Sequence, residues 1–171
     1  MKFMELAKQR FSARKYSDKP VSKETLDQIL EAVLIAPTAK NLQPQRIYVL
    51  QNPKDLAKLD ELSHCRYGAP VVLLFTYDTD EDWKNSREEG IHSGVEDVSI
   101  VATHVMLQAA ELGVDTTWCN LFENSKLEQI FNIPKNEKSV LFMSLGYRAD
   151  DCEPSPLHEQ TKSLDELVKY C

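Results

Sequence analysis

The stretch from Ser93 to Leu112 constrains this chain more than any other. Val95, Val98, Ile100, Val101, Ala102, Val105, Met106, Leu107, Ala109 and Leu112 leave a helix over it with little polar face. A helix apolar on nearly every side has to be covered on nearly every side. Ser93 and Glu96 stand at capping-box spacing, so the helix is expected to begin there. Two arrangements hide it. It runs through the monomer's core beneath a sheet, or it packs against its own image, where a self-complementary patch closes as a C2 dimer. In a chain of 171 residues the second is the easier way to bury it.

The remaining pattern supplies the sheet. Val71-Val72-Leu73-Leu74-Phe75 is continuously apolar and reads as a central strand covered on both faces. Arg46–Leu50, Asp115–Cys119 and Ser139–Leu145 are the other expected strands. Phe3–Gln9 reads as a helix with Phe3, Leu6 and Ala7 on one face, and Tyr16–Pro20 as a turn. Ser22 caps an amphipathic helix carrying Leu26, Ile29, Leu30, Val33 and Leu34, which Pro37 ends. Asn52-Pro53 opens a helix with Leu56, Leu59 and Leu62 inward, and Asn124 caps a short one before Pro134. Asp78–Gly90, with Trp83, is a polar surface loop, and Ser163 with Glu166 caps a short closing helix. Helices and strands interleave without repeat or linker, so the expectation is a single α+β domain over residues 1–171.

Composition removes several classes. A net charge of −7 argues against nucleic acid, whose binders carry a broad basic surface. No apolar run reaches the ~20 residues that span a bilayer. Met1–Glu5 has no signal-peptide core, so a soluble cytoplasmic protein is expected. Cys65, Cys119, Cys152 and Cys171 form no Cys-x-x-Cys, and the four histidines show no ligand spacing. Reduced thiols and no metal site follow. With five glycines there is neither a Gly-x-Gly-x-x-Gly nor a Walker loop, so any phosphate must be held by side chains.

Two short pieces offer such groups. Arg10-Phe11-Ser12-Ala13-Arg14 puts two guanidinium groups and a hydroxyl into five residues, a donor set that suits phosphate oxygens. Ala36-Pro37-Thr38-Ala39-Lys40-Asn41-Leu42-Gln43-Pro44 is a loop of amides and hydroxyls between two prolines, able to read the edge of a planar heterocycle. Each has a plainer reading as well: solvated cations at a helix end for the first, helix-to-strand punctuation for the second.

Their order and spacing resemble the nitroreductase-like, FMN-dependent oxidoreductases. Arg-x-Ser-x-Arg matches that family's opening motif, and the proline-bounded loop matches its Ala-Pro-Ser-x-x-Asn-x-Gln-Pro, with Gln45 where a tryptophan usually follows. The likeness continues through Ala69-Pro70-Val71-Val72, Leu107–Gly113, Thr117-Trp118-Cys119, Leu145-Gly146-Tyr147 and a late Lys162. The resemblance implies a dimeric α+β fold with a central, mostly antiparallel sheet flanked by helices. It implies Arg10, Ser12 and Lys162 at the FMN phosphate, Phe11 among the cofactor-binding residues, and Arg14 at the ring's N1–C2 edge. It places Pro37, Thr38, Ala39 and Asn41 on the ring from the partner subunit, with Gln43 in the same loop either at the ring or bracing the loop's own backbone, and Trp118, Cys119 and Asn120 near N5. Arg66 is a further candidate at the pyrimidine edge. NAD(P)H and an electron-poor nitroaromatic or quinone are the implied substrates, and no catalytic side chain is expected. The alternatives are another redox substrate on the same flavin, such as a dehalogenation, and flavin storage without turnover.

Overall fold

The computed structural model describes residues 2–171. Strands β1 (Gln45–Leu50), β2 (Val71–Asp78), β3 (Asp115–Cys119) and β4 (Glu137–Gly146) form one sheet in the order β1-β2-β4-β3. All three pairings are antiparallel. Every residue of β2 is buried, as its unbroken apolar run requires. One face of β2 presents Val71, Leu73, Phe75 and Tyr77 to helices α2 (Lys23–Leu30), α3 (Ala32–Ile35) and α5 (Gly94–Glu111). The other presents Val72 and Leu74 to Leu59 of α4 (Pro53–Leu62) and Leu127 of α6 (Asn124–Ile130). The result is three layers with a core on each side of the sheet.

The long helix answers the first question only in part. Val98, Val101, Ala102, Val105 and Ala109 of α5 are buried against the sheet. Val95 and Ile100, on its outer side, are 50% and 39% exposed. The core of one chain therefore covers one face of α5 and leaves apolar surface on the other.

Three local expectations need correction. Ser93 forms no capping box with Glu96; its hydroxyl donates to Asp97 Oδ2 at 2.6 Å and accepts the Trp83 N–H at 3.1 Å. Asp97 faces the interior while Glu96 faces solvent, so the inward carboxylate takes the hydroxyl. Asn124 does not cap α6; Glu123 holds that position, and the Asn124 amide donates to Ser139 O at 2.7 Å across to β4. Tyr16 does not open a turn: it is buried, bridges Arg148, and donates to Ser144 O at 3.3 Å. The side-chain caps at Ser22, Asn52 and Ser163 form as expected. The Ser22 helix is interrupted at Glu31 and stops at Ala36, whose extended backbone suits the residue before a proline. Leu34, counted on its apolar face, is exposed instead.

A buried carboxylate ties β1 to β4. Glu137 Oε2 accepts from Tyr48 Oη at 2.8 Å and from Thr76 Oγ1 at 2.6 Å. Burial first, then the Glu137 carboxylate, pushes the Tyr48 phenol up to about 12. The folded state thus holds this proton more tightly than the unfolded chain, whose phenol titrates near 10. The contribution is intact below about pH 10 and is lost as pH climbs toward 12. Tyr48→Phe should cost about 0.5–1.5 kcal/mol at neutral pH. Urea unfolding of both proteins should show that gap narrowing as pH rises through 10 toward about 11. A gap independent of pH would contradict this account of the phenol.

Candidate functional site

The segment carrying the two arginines is held as an extended edge. Arg10 follows α1 (Phe3–Gln9) in extended backbone, and Ser12 forms a parallel bridge to Thr116 of β3. The Ala13 N–H donates to Thr116 O at 3.3 Å, and the Thr117 hydroxyl donates to Ala13 O. Extended backbone alternates sides. Phe11 and Ala13 are buried, which leaves Arg10, Ser12 and Arg14 together on the outward side. Among the described residues neither Arg10 nor Arg14 pairs with a carboxylate. Arg14 lies against the Tyr67 hydroxyl, whose ionisation is pushed up chiefly by burial and down by that guanidinium.

Phe11 is clamped from both sides. The Arg148 guanidinium lies 4.9 Å from its ring centroid and 3.5 Å from Asp115, and the His158 ring meets it edge-on at 6.1 Å. A cavity of about 440 Å³ opens beside it, lined by Arg10, Phe11, Glu111, Asp115, Thr116 and Arg148.

The proline-bounded loop is rigid for a different reason. Lys40, Asn41 and Gln43 have φ of 51°, 56° and 54°, left-handed backbone at three positions without glycine. Such conformations cost energy and persist where the surroundings over-determine them. Here the Gln43 N–H donates to Thr38 Oγ1 at 3.1 Å, and Gln43 Nε2 to Asn41 Oδ1 at 3.0 Å. The Ala39 N–H donates to Asp97 Oδ1 at 2.8 Å. Asp97, 2% exposed, therefore anchors the loop to the first turn of α5 while holding Ser93 with its other oxygen. Pro37, Lys40, Asn41, Leu42 and Gln43 remain exposed. The Gln43 side chain serves as a brace of its own loop.

The two pieces do not meet. The loop sits at the Asp97 end of α5, while the cavity beside Arg10 is lined by Ala110 and Glu111 at the other. The thirteen residue steps from Asp97 to Ala110 advance the helix by about 20 Å.

The other expected site residues have diverse placements. Trp118 Nε1 donates to Asn120 Oδ1 at 2.5 Å, and Asn120 Nδ2 to Val140 O at 2.7 Å, which fixes the exit of β3. Cys119 points to the opposite sheet face, into the α4/α6 core. Burial pushes its thiol up to about 11, so it is a protonated core group. Lys162 is exposed, and no hydrogen bond or ion pair joins it to Arg10 or Ser12 among the described residues. Four residues earlier, His158 Nε2 lies 3.1 Å from Lys8 O, so the C-terminal arm does return to α1. Arg66 is committed elsewhere: it grips Asp60 at 2.7 and 2.6 Å and donates to Ala69 O at 2.7 Å.

Asp97, Thr116, Tyr67 and His158 shape the site and escaped the sequence reading, while Thr117 stood there only as part of the Thr117-Trp118-Cys119 run. Asp97 alone left a trace, four residues after Ser93 and hence on the same helix face. No group of three metal-type ligands exists among the described residues.

The fold defines a class: a three-layer α+β protein with a cationic extended segment at one end of α5 and a strained loop at the other. The sequence matches the profile of the Nitroreductase family over residues 7–67 and 66–147. The chain belongs to that family. The crystal structure of a nitroreductase family protein from Clostridium difficile 630 is 37% identical, with a TM-score of 0.92 over 99% of this chain and 98% of that one. An FMN-dependent nitroreductase from Clostridium difficile R20291 is 25% identical, with a TM-score of 0.79 over 98% of each chain. An NAD(P)H-type FMN reductase of Bacillus subtilis is 29% identical over 93% of this chain and 74% of its own length.

Proposed function

We propose that this protein is an FMN-dependent oxidoreductase that draws hydride from NAD(P)H and delivers it to an electron-poor acceptor such as a nitroaromatic or quinone. It works as a homodimer, with residues 1–171 as one FMN-binding domain. Flavin-dependent oxidoreduction accords with family membership and with relatives named FMN reductase and FMN-dependent nitroreductase. The residues fit the cofactor: two arginines and a hydroxyl share one outward side of an extended segment, and neither arginine forms an ion pair among the described residues. A phosphate dianion suits that set.

When bound, FMN supplies the two-electron chemistry. The chain supplies position and charge. Arg10 and Ser12 hold the phosphate, with Phe11 clamped behind them and Lys162 joining from the C-terminal arm. Arg14 sits at the ring's carbonyl edge, where a cation stabilises the negative charge of the reduced form. Pro37, Thr38, Ala39 and Asn41 cover the ring from the partner subunit, on a loop that Gln43 and Asp97 keep rigid. Trp118 and Asn120 brace the end of β3 beside the ring, and no side chain is needed as acid or base.

The single observation that carries this reading is the separation of the two halves along α5. A second copy, packed antiparallel along the outer face of α5, supplies the loop that one chain cannot bring to its own arginines. It also covers the apolar surface left open. Leu34 and Ile35 are each 77% exposed, and Leu164, Leu167 and Tyr170 of the arm are 67%, 65% and 91% exposed. Apolar surface of this extent marks an interaction face. Among the described residues no helix is long and apolar enough to cross a membrane. All four cysteines are free, as in a reducing cytoplasm.

The test is spectroscopic. The purified protein should show flavin absorption, and NADH or NADPH added under argon should bleach it. A quinone such as menadione should then restore the colour. Retained flavin that neither nucleotide bleaches would establish storage instead of turnover.

A further inference from the structure

A second cavity, of about 340 Å³, lies in the loop between β2 and α5, lined by Tyr77, Asp82, Lys84, Glu89, Ile91 and His92. The sequence presents this stretch as a polar surface loop, yet Asp82 is folded inward and its side chain is 2% exposed. Asp82 Oδ2 lies 2.7 Å from His92 Nδ1. Asp82 Oδ1 is buried without a hydrogen-bond partner; Lys84 Nζ, which donates to Thr79 O, forms only a longer ion pair with it at 3.5 Å. An acceptor buried without a hydrogen bond is destabilising. The Tyr77 ring is tilted 32° against the His92 ring at 5.7 Å, and its hydroxyl makes no hydrogen bond among the described residues. Gly94 fixes that wall, because any side chain there would run into the Tyr77 ring.

We propose that this cavity binds a small neutral aromatic carboxamide or lactam. The amide N–H satisfies Asp82 Oδ1, the Tyr77 hydroxyl donates to the amide carbonyl, and the ring lies between the Tyr77–His92 wall and Ile91. Other chemistries fit less well. An anion meets Asp82 and Glu89. A cation duplicates Lys84 and His92, which already face the carboxylate. A purely apolar molecule leaves Oδ1 unpaired. The volume accommodates one or two rings. The cavity shares its frame with the ring-covering loop, since Trp83 N–H, Ser93 Oγ, Asp97 and Ala39 N–H form one hydrogen-bonded chain. The proposal does not rest on flavin chemistry; it concerns a second ligand beside that loop.

The test uses the full chain, with benzamide as the probe, titrated by calorimetry. Benzamide should bind saturably. N,N-dimethylbenzamide, which lacks the N–H, and benzoate, which carries charge, should bind at least about tenfold more weakly. Ile91→Trp, at a position 47% exposed, should fill the cavity and abolish binding without changing the melting temperature. Asp82→Asn should weaken benzamide in the same direction. No saturable binding, equal binding of the dimethyl compound, or unchanged binding to the Ile91→Trp protein would each overturn the proposal. Flavin content read at visible wavelengths in the same samples separates this outcome from the fate of the FMN reading.

Discussion

Arg10→Ala should raise the dissociation constant for FMN about ten- to a hundredfold, while leaving the binding of riboflavin unchanged. A hydrogen bond to a charged group contributes about 1.5–3 kcal/mol, and each 1.4 kcal/mol is a factor of ten. Riboflavin has the same ring and ribityl chain without the phosphate, so it isolates the contact in question. The Arg10 backbone is placed by the end of α1, and no ion pair of this side chain is lost on truncation, so the fold should survive. Flavin fluorescence, titrated with the apoprotein, reads both constants. An equal loss for FMN and riboflavin would move Arg10 from the phosphate to the ring. No loss for either would remove it from the site.

That expectation began with five residues, and the physics of the site explains why those were legible and others were not. An Arg-x-Ser-x-Arg spacing is a period-two pattern, so extended backbone alone puts the three polar groups on one side; the bridge to Thr116 then supplies the extension. The sheet was legible for the same reason, since Val71–Phe75 is too apolar to face water anywhere. What failed to show were contacts made over long sequence separations. Ser93 was paired with Glu96 by local spacing, but the decision between Glu96 and Asp97 is made by which one faces the Ala39 N–H, fifty-eight positions away. Arg66 was a candidate for the pyrimidine edge, but Asp60 and the Ala69 carbonyl close around it. The inward turn of Asp82 lies in a loop whose composition is that of any exposed segment. Lys162 marks the opposite limit. Its assignment rests on resemblance: within one chain the C-terminal arm reaches Lys8 and Phe11 through His158, while Lys162 itself has no hydrogen bond or ion pair to Arg10 or Ser12 among the described residues.

The arrangement of α5 yields the sharpest consequence. If each flavin site takes its arginines from one protomer and its loop from the other, two defective chains should repair one another. Arg10→Ala damages the phosphate half, and Asp97→Ala frees the loop by removing the acceptor of the Ala39 N–H. Each homodimer then contains two damaged sites. A heterodimer of the two variants contains one site with both defects and one with neither, because a C2 axis exchanges the halves. Carrying different tags and purified through both, that heterodimer should bind FMN at about half the wild-type stoichiometry with wild-type affinity at the intact site. A site built within a single chain gives the opposite result, since every site would carry one defect and none would be whole. Calorimetric stoichiometry on the two-tag heterodimer distinguishes the cases without reference to any acceptor. A mixture that never forms a heterodimer, with each variant monomeric by sedimentation, would remove the dimer and with it the shared groove.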